Sequence, residues 1–185
     1  VTRRGVGGEL NRLDTAVYAA IARTPTPGLD QALGGLSRAA DFSKLWLGSA
    51  SALAAFGGEQ GRRAAGNGIA SLALTSALVN AVLKPLWGRP RPERVKHRVP
   101  FARRVRMPKT RSFPSGHAAS GFAFATGVAS EAPVAGGLLT ALAALVAYSR
   151  VHTGVHYPSD VVAGAVVGAG LSPIAVAAAK RFRVA

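Results

Sequence analysis

Val161–Ala179 reads VVAGAVVGAGLSPIAVAAA, nineteen consecutive positions without a charge. The hydrocarbon core of a bilayer is about 30 Å thick, and a helix needs roughly 17–25 apolar residues to cross it. Lipid offers no partner for backbone N–H and C=O groups, so such a run is stable as a helix that satisfies them internally. Towards the N-terminus lie four more uncharged runs: Leu45–Gly58 (14 residues), Ala64–Leu83 (20), Ser112–Ser130 (19, with one histidine) and Ala132–Ser149 (18). Four of the five fit the spanning window. The shortest can be lengthened backwards through Ala39–Ser43, which puts Asp41 and Lys44 near an interface. Runs rich in Ala and Leu, without alternation, suit helices rather than barrel strands. The expected fold class is all-α: a polytopic membrane helix bundle of about five to six transmembrane helices.

The 185 residues suit a single domain covering 1–185. Apolar types make up 49% and charged types 17%, and 23 Lys+Arg against 8 Asp+Glu leave a net charge of +15. That balance excludes an acidic disordered tail, and the lack of cysteine excludes a disulfide-framed mini-protein. Mean hydropathy is only +0.23 because the charges are clustered. Small residues punctuate the runs, and Gly164-x-x-x-Gly168 has the spacing that lets membrane helices approach closely. The ordinary Gly and Ala richness of such helices explains the pair equally well.

Residues 1–40 form an N-terminal amphipathic segment. Leu10, Leu13, Val17 and Ile21, with Ala16 and Ala20, recur at helical spacing between Asn11, Arg12, Asp14 and Arg23, and the breakers Thr24-Pro25-Thr26-Pro27-Gly28 end the helix. Crossing the membrane and lying along it both fit this pattern. Nothing in it resembles a processing segment. Lys84–Arg111 is the one long polar stretch, with 11 Lys+Arg and a single acid, Glu93. It lacks the aromatic interleaving of a single-strand binder and sits between two spans, so no nucleic acid is expected and anionic membrane lipid is the better partner. A merely solvated loop fits as well.

Three polar clusters at span ends could carry chemistry, since ionisable groups there are costly. The first, Lys84-Pro85-Leu86-Trp87-Gly88-Arg89-Pro90-Arg91-Pro92, holds Lys84 and Arg91 seven residues apart on a proline-stiffened segment. By itself it reads better as an interfacial anchor. In the second, Phe113-Pro114-Ser115-Gly116-His117, a first-turn proline followed by free N–H groups makes a helix start able to receive an anion, with His117 beside it. A lone histidine is more often a hydrogen-bonded bystander. The third, Ser149-Arg150-Val151-His152-Thr153-Gly154-Val155-His156-Tyr157-Pro158-Ser159-Asp160, puts Asp160 four residues after His156, where it can fix the imidazole tautomer. A capped helix start explains it equally.

Topology decides between these readings. The first cluster ends a span, the second begins the next, and the third lies two crossings later, so all three meet one membrane face. A pocket there gathers Lys84, Arg91 and Arg150, the N–H groups near Ser115 and Gly116, and two histidines, the parts that phosphoryl transfer requires. Zinc is a poorer account: there are four histidines, no cysteine, and fixed cations that repel a metal.

Lys84-x6-Arg91-Pro92, Pro114-Ser115-Gly116-His117 and Ser149-Arg150-x5-His156-x3-Asp160 together resemble the three motifs of the type 2 phosphatidic acid phosphatase (PAP2) superfamily, without departure at any signature position. The resemblance covers 84–160; the N-terminal third matches nothing distinctive. It implies a membrane lipid phosphatase without metal or cofactor, acting on a lipid phosphate. In that scheme His156 is the nucleophile, Asp160 orients it, His117 is the acid and then the base, and Lys84, Arg91, Ser115, Gly116 and Arg150 bind the phosphoryl oxygens. Vanadium haloperoxidases look similar in these motifs but are soluble and larger. A phosphotransferase with an acceptor other than water would use the same residues, and a non-catalytic lipid-phosphate carrier is the alternative outside enzymology. The motifs do not specify the lipid: phosphatidate, phosphatidylglycerophosphate, a phosphoinositol lipid and polyprenyl phosphates or diphosphates all fit.

The expected location is the cell membrane, as a multi-pass protein. Bacterial relatives commonly carry this site outside. The active-site connection, however, holds 11 Lys+Arg against five on the opposite face (Arg62, Arg63, Lys180, Arg181, Arg183), and nine remain after discounting Lys84 and Arg91. Taken literally, positive-inside puts the site in the cytoplasm. Oligomeric state is not readable.

Overall fold

The computed structural model describes residues 6–184, and every regular element among them is helical. Helix α1 covers Val6–Arg23 and α2 covers Pro27–Ala39; Pro27 opens α2 at a position where its missing N–H costs nothing. Next come α3 (Lys44–Phe56) and α4 (Gly58–Leu78), which runs through a π-helical turn, Val79–Leu83, into the short α5 (Lys84–Leu86). After a long loop follow α6 (Gly116–Ala129), α7 (Pro133–His152) and α8 (Pro158–Val184).

Three helical stretches are long and apolar enough to cross a membrane: Gly58–Leu86, Pro133–His152 and Pro158–Phe182. Helices α3 and α6, with 13 and 14 residues, are shorter. The backward lengthening considered for Leu45–Gly58 does not occur. Phe42 (φ 56°) and Ser43 (φ 59°) are left-handed, and that turn separates α2 from α3. Helix α6 is the central element, enclosed by α4, α7 and α8, while α3 packs on α4. Its Ala118, Ala119, Ala123, Phe124, Ala125 and Val128 are completely buried. The large apolar side chains of the surrounding helices, among them Leu74, Leu138, Leu145, Val162, Val166 and Ile174, point outward. Interior small and exterior large is the distribution expected of helices solvated by lipid. The chain is thus an all-helical polytopic membrane bundle.

Helix α1 resolves the ambiguity of its pattern. Asp14 meets Ser159, Tyr18 meets Gly154, and Arg103 reaches the carbonyl of Ile21, so the contacts of its second half fall on the end of the bundle where α8 begins. It lies across that end. Its buried face is Asp14, Tyr18 and Ala22, whereas Leu10, Leu13 and Val17 stay exposed, an apolar stripe suited to an interfacial helix.

Close approach explains the glycine pair. A Cβ on Gly164 would press on the Ser115 carbonyl, and one on Gly168 on the Ala119 carbonyl, so α8 lies directly against the α6 backbone at both. Around Gly170 there is open space. Gly168→Ala should therefore destabilise the protein by about 1–3 kcal/mol, as overpacking does. Gly170→Ala should change little, and thermal unfolding in detergent compares the two.

Candidate active site

The carboxyl end of α4–α5 and the amino ends of α6 and α8 meet at one end of the bundle around a cavity of about 200 Å³. Lys84, Arg91, Gly116, His117 and His156 line it, with Thr110 on the rim and Asn80, Ser76 and Ser120 on the α4–α6 side. The π-helical turn ahead of Lys84 shifts the register of the helix end, and the Lys84 ammonium donates to Asn80 (3.1 Å).

Arg91 is locked in place. Its Nε donates to the Thr110 carbonyl (2.8 Å), one terminal nitrogen to the Val155 carbonyl (3.0 Å), and the other to the Arg111 carbonyl and the Thr110 hydroxyl (3.2 Å each). Burial lowers its pKa to about 10, which leaves it cationic at neutral pH. The nitrogen that holds Val155 also lies 3.1 Å from Nε2 of His156. A guanidinium can only donate, so Nε2 is the accepting, unprotonated nitrogen of that ring and Nδ1 carries the hydrogen. Nδ1 faces the Asp160 carboxylate at 3.4 Å. His156 is buried, and burial above all, with Arg91 adding to it, lowers its pKa from 6.5 to about 3 despite the hydrogen bond to Asp160. The imidazole is therefore neutral, with an unprotonated Nε2 bonded to Arg91 at the cavity wall, the protonation state a nucleophile needs.

Asp160 is held on all sides. One oxygen accepts from Arg89 (2.8 Å); the other accepts from the Tyr157 N–H (2.9 Å) and the Ser112 hydroxyl. Arg89 also pairs with Asp14, donates to Ser159 (2.7 Å) and stacks 4.2 Å from the centre of the Tyr157 ring. Across the cavity, His117 stands in the first turn of α6 with Nε2 2.9 Å from Asp41.

Lys84, Arg91, Gly116, His117 and His156 thus share one cavity, with Asp160 directly behind His156. Two expected phosphate ligands sit elsewhere. Ser115 is the N-cap of α6, its hydroxyl accepting from the Ala118 N–H and its own N–H bonded to the Asp160 carbonyl (2.9 Å). Pro114 consequently precedes the cap instead of occupying the first turn. The fully buried Arg150 lies one layer back, bonded to Ser37 and 3.8 Å from Asp41, with its Nε unpartnered. At Gly116 a Cβ would meet the Lys84 ammonium at 3.4 Å, so the helix start and this cation are direct neighbours. A larger groove of about 840 Å³, lined by Leu10, Leu13, Val17, Trp87 and Phe113, is almost wholly apolar, and its charged residues, Asp14 and Arg89, are already paired.

Sequence reasoning missed Asp41, Arg89, Ser112, Asn80 and Thr110. Arg89 was within reach, two positions from Arg91 in the same Arg-Pro repeat. So was Asn80, one helical turn before Lys84, whereas Asp41, Ser112 and Thr110 reach the site through long-range contacts.

The profile of the PAP2 superfamily matches residues 65–183, well over half of the chain. The chain belongs to the PAP2 superfamily. Its fold is similar to the crystal structure of Aquifex aeolicus LpxE, with 27% identity and a TM-score of 0.73 over 89% of this chain and 95% of that one. It is also similar to that of a transmembrane PAP2-type phosphatidylglycerolphosphate phosphatase from Bacillus subtilis, with 22% identity and a TM-score of 0.68 over 97% and 89%. No curated protein gives a match. The PAP2 match begins at residue 65, so α1–α3, including Asp41, lie outside it.

The position of His156 in this PAP2 site has a consequence for acid stability. The unfolded chain takes up that proton near pH 6.5, the folded chain only near 3, so acid favours unfolding across that interval. The contribution is intact above pH 6.5 and is lost as the pH falls. Unfolding temperatures in detergent between pH 7 and 4 should drop more steeply for the wild type than for His156→Gln.

Proposed function

We propose that the protein is a lipid phosphate phosphatase working through a phosphohistidine. The observation that carries this reading is the His156 ring, whose unprotonated Nε2 meets Arg91 at the wall of a cavity shared with Lys84 and His117. In the first step the Nε2–phosphorus bond forms as the ester P–O bond breaks, Asp160 steadies the Nδ1–H, and His117 gives its proton to the departing oxygen. In the second, water attacks phosphorus, the N–P bond breaks, and His117 takes up the proton released. Lys84, Arg91 and the N–H at Gly116 bind the phosphoryl oxygens; Arg150 contributes from behind Asp41. Ser115 serves by holding the first turn of α6 in position.

A lipid substrate is supported by the cavity's surroundings. Phe42, which lines it, is 82% exposed, and the exposed Leu86 and Trp87 follow Lys84 directly, so a polar pocket sits beside apolar surface. The name of the Bacillus subtilis neighbour, a phosphatidylglycerolphosphate phosphatase, points the same way, and the range of lipids above applies: monophosphates or diphosphates of glycerolipid, inositol-lipid or polyprenyl type.

We place the protein in the cell membrane with the site on the cytoplasmic side, the reading that the charge count supports. Arg89, Arg94, Arg103, Arg104 and Arg111 are tied to internal carbonyls or carboxylates, while Lys96, Arg98, Arg106 and Lys109 are exposed and available to anionic lipid. A cysteine at position 98 should then resist an impermeant thiol reagent in intact cells.

Purified His156→Ala should remain folded at pH 7 and lose phosphate release by at least about 10³-fold, as removal of a covalent nucleophile does. Substantial turnover in that variant removes the phosphohistidine. Phosphate release by the wild type should persist in EDTA; loss restored by a divalent cation would remove metal independence.

A further inference from the structure

The turn between α2 and α3 forms one wall of the cavity. Ala40, Phe42 and Ser43 line it, and two consecutive left-handed residues, neither of them glycine, give the turn a backbone uncommon for such side chains. Asp41 leads this turn into the site. Its carboxylate lies 2.9 Å from Nε2 of His117 and 3.8 Å from Arg150, which Ser37 of α2 holds from the other side. A carboxylate only accepts, so Nε2 of His117 carries the hydrogen and Nδ1 is the nitrogen left for proton exchange. The groups facing His117 are otherwise cationic or neutral: Lys84 and Arg91 from the α5 side, Arg150 from α7, and His156 ahead of α8. Each cation opposes a positive charge on the imidazole. Asp41 offsets them.

Resting on the phosphatase reading above, we propose that Asp41 is a positioning residue for His117, holding Nε2–H so that Nδ1 gives its proton to the leaving oxygen and takes one from the attacking water. The arrangement would repeat on the acid side what Asp160 does for His156, with a carboxylate drawn from a segment that precedes the matched family region. When His117 is protonated, Asp41 balances the imidazolium; when it is neutral, the same hydrogen bond fixes the tautomer.

The test separates leaving groups that need a proton from those that do not. Dioctanoyl phosphatidate expels an alkoxide and depends on the acid, whereas p-nitrophenyl phosphate expels a stabilised phenolate. First-turnover release is measured by rapid quench on purified wild type, Asp41→Asn and Asp41→Glu. Asp41→Asn should slow release from dioctanoyl phosphatidate by about 10–100-fold, part of what a general acid contributes, and release from p-nitrophenyl phosphate by much less. The alkaline limb of the phosphatidate profile should move to lower pH, because the imidazolium has lost its counter-charge. Asp41→Glu, which restores the carboxylate, should recover most of the rate and return the limb, and it guards against a folding defect in the amide variant. Equal losses on both compounds with an unmoved pH profile overturn the proposal in favour of a purely structural turn. Faster turnover with tighter inhibition by inorganic phosphate also overturns it, by showing that Asp41 competes with the substrate. Wild-type protein inert towards both compounds overturns the phosphatase reading, and the proposal falls with it.

Discussion

The buried carboxylate of Asp160 organises this end of the molecule. In an interior without water, an unpaired carboxylate costs several kcal/mol, so its position is tenable only if donors come to it. Arg89 arrives from one end of the long loop and Ser112 from the other, and both are anchored by the same side chain. Drawing Arg89 inward carries Arg91, two residues on, to the Nε2 edge of His156. Arg89 extends the tie to Asp14 and so clamps α1 over the site. The carbonyl of Asp160 accepts the Ser115 N–H and joins the first turns of α6 and α8. One residue thus links His156, loop, amphipathic helix and central helix, and the arrangement around the cavity inherits its precision from a desolvation penalty.

That network can exist because the bundle beneath it is packed backbone to backbone. Gly164 and Gly168 let α8 lie on α6, and Gly68 receives the edge of Phe124 from α6. Between such close helices, hydroxyls replace bulk as glue: Ser71 bonds Ser172 (2.9 Å) and Ser76 bonds Ser120 (3.0 Å), the latter pair lying against the cavity. Serines in lipid-facing positions would be a liability; between helices they find one another. The same closeness keeps the cavity small, which suits a phosphoryl group rather than a whole lipid.

Much of this was legible in the sequence because it is local. His156 and Asp160 are four residues apart, Gly116 and His117 open a helix, and Lys84 ends one, so spacing and helix polarity alone put them on one face. The small-residue pair was visible too, though not its partner. What escaped depends on contacts between residues far apart in the chain. Asp41 reads as a stray charge beside a short span, since nothing nearby announces His117, 76 residues later. The left-handed turn at Phe42–Ser43 has no glycine to signal it, and the extended span drawn through it does not form. In α1 the periodic leucines marked an amphipathic helix without saying what each face meets: they stay outside, while Asp14 and Tyr18 turn inward to meet the loop. The basic loop misleads for a related reason: Arg103, which looks like surface charge, is 1% exposed and bonded to Asp30 and to backbone carbonyls near the end of α1.

The charge left in the cavity bears on what it can bind. Its described lining includes Lys84 and Arg91 and no acidic residue, with Arg150 just behind. Arg91 stays cationic at neutral pH, and its hydrogen bonds to the Thr110, Val155 and Arg111 carbonyls and the Thr110 hydroxyl stop it from swinging away. An empty site of this kind holds like charges together in a poorly screened setting, and a phosphate dianion relieves their repulsion as well as attracting each cation singly. A phosphodiester, with one negative charge, relieves less of it and adds a second substituent that a cavity of about 200 Å³ must accommodate. Under the proposed chemistry, discrimination between terminal phosphates and diester headgroups therefore comes from charge and volume at the phosphorus itself. The lipid tail, lying against Phe42 and the bilayer, would contribute binding without deciding that choice.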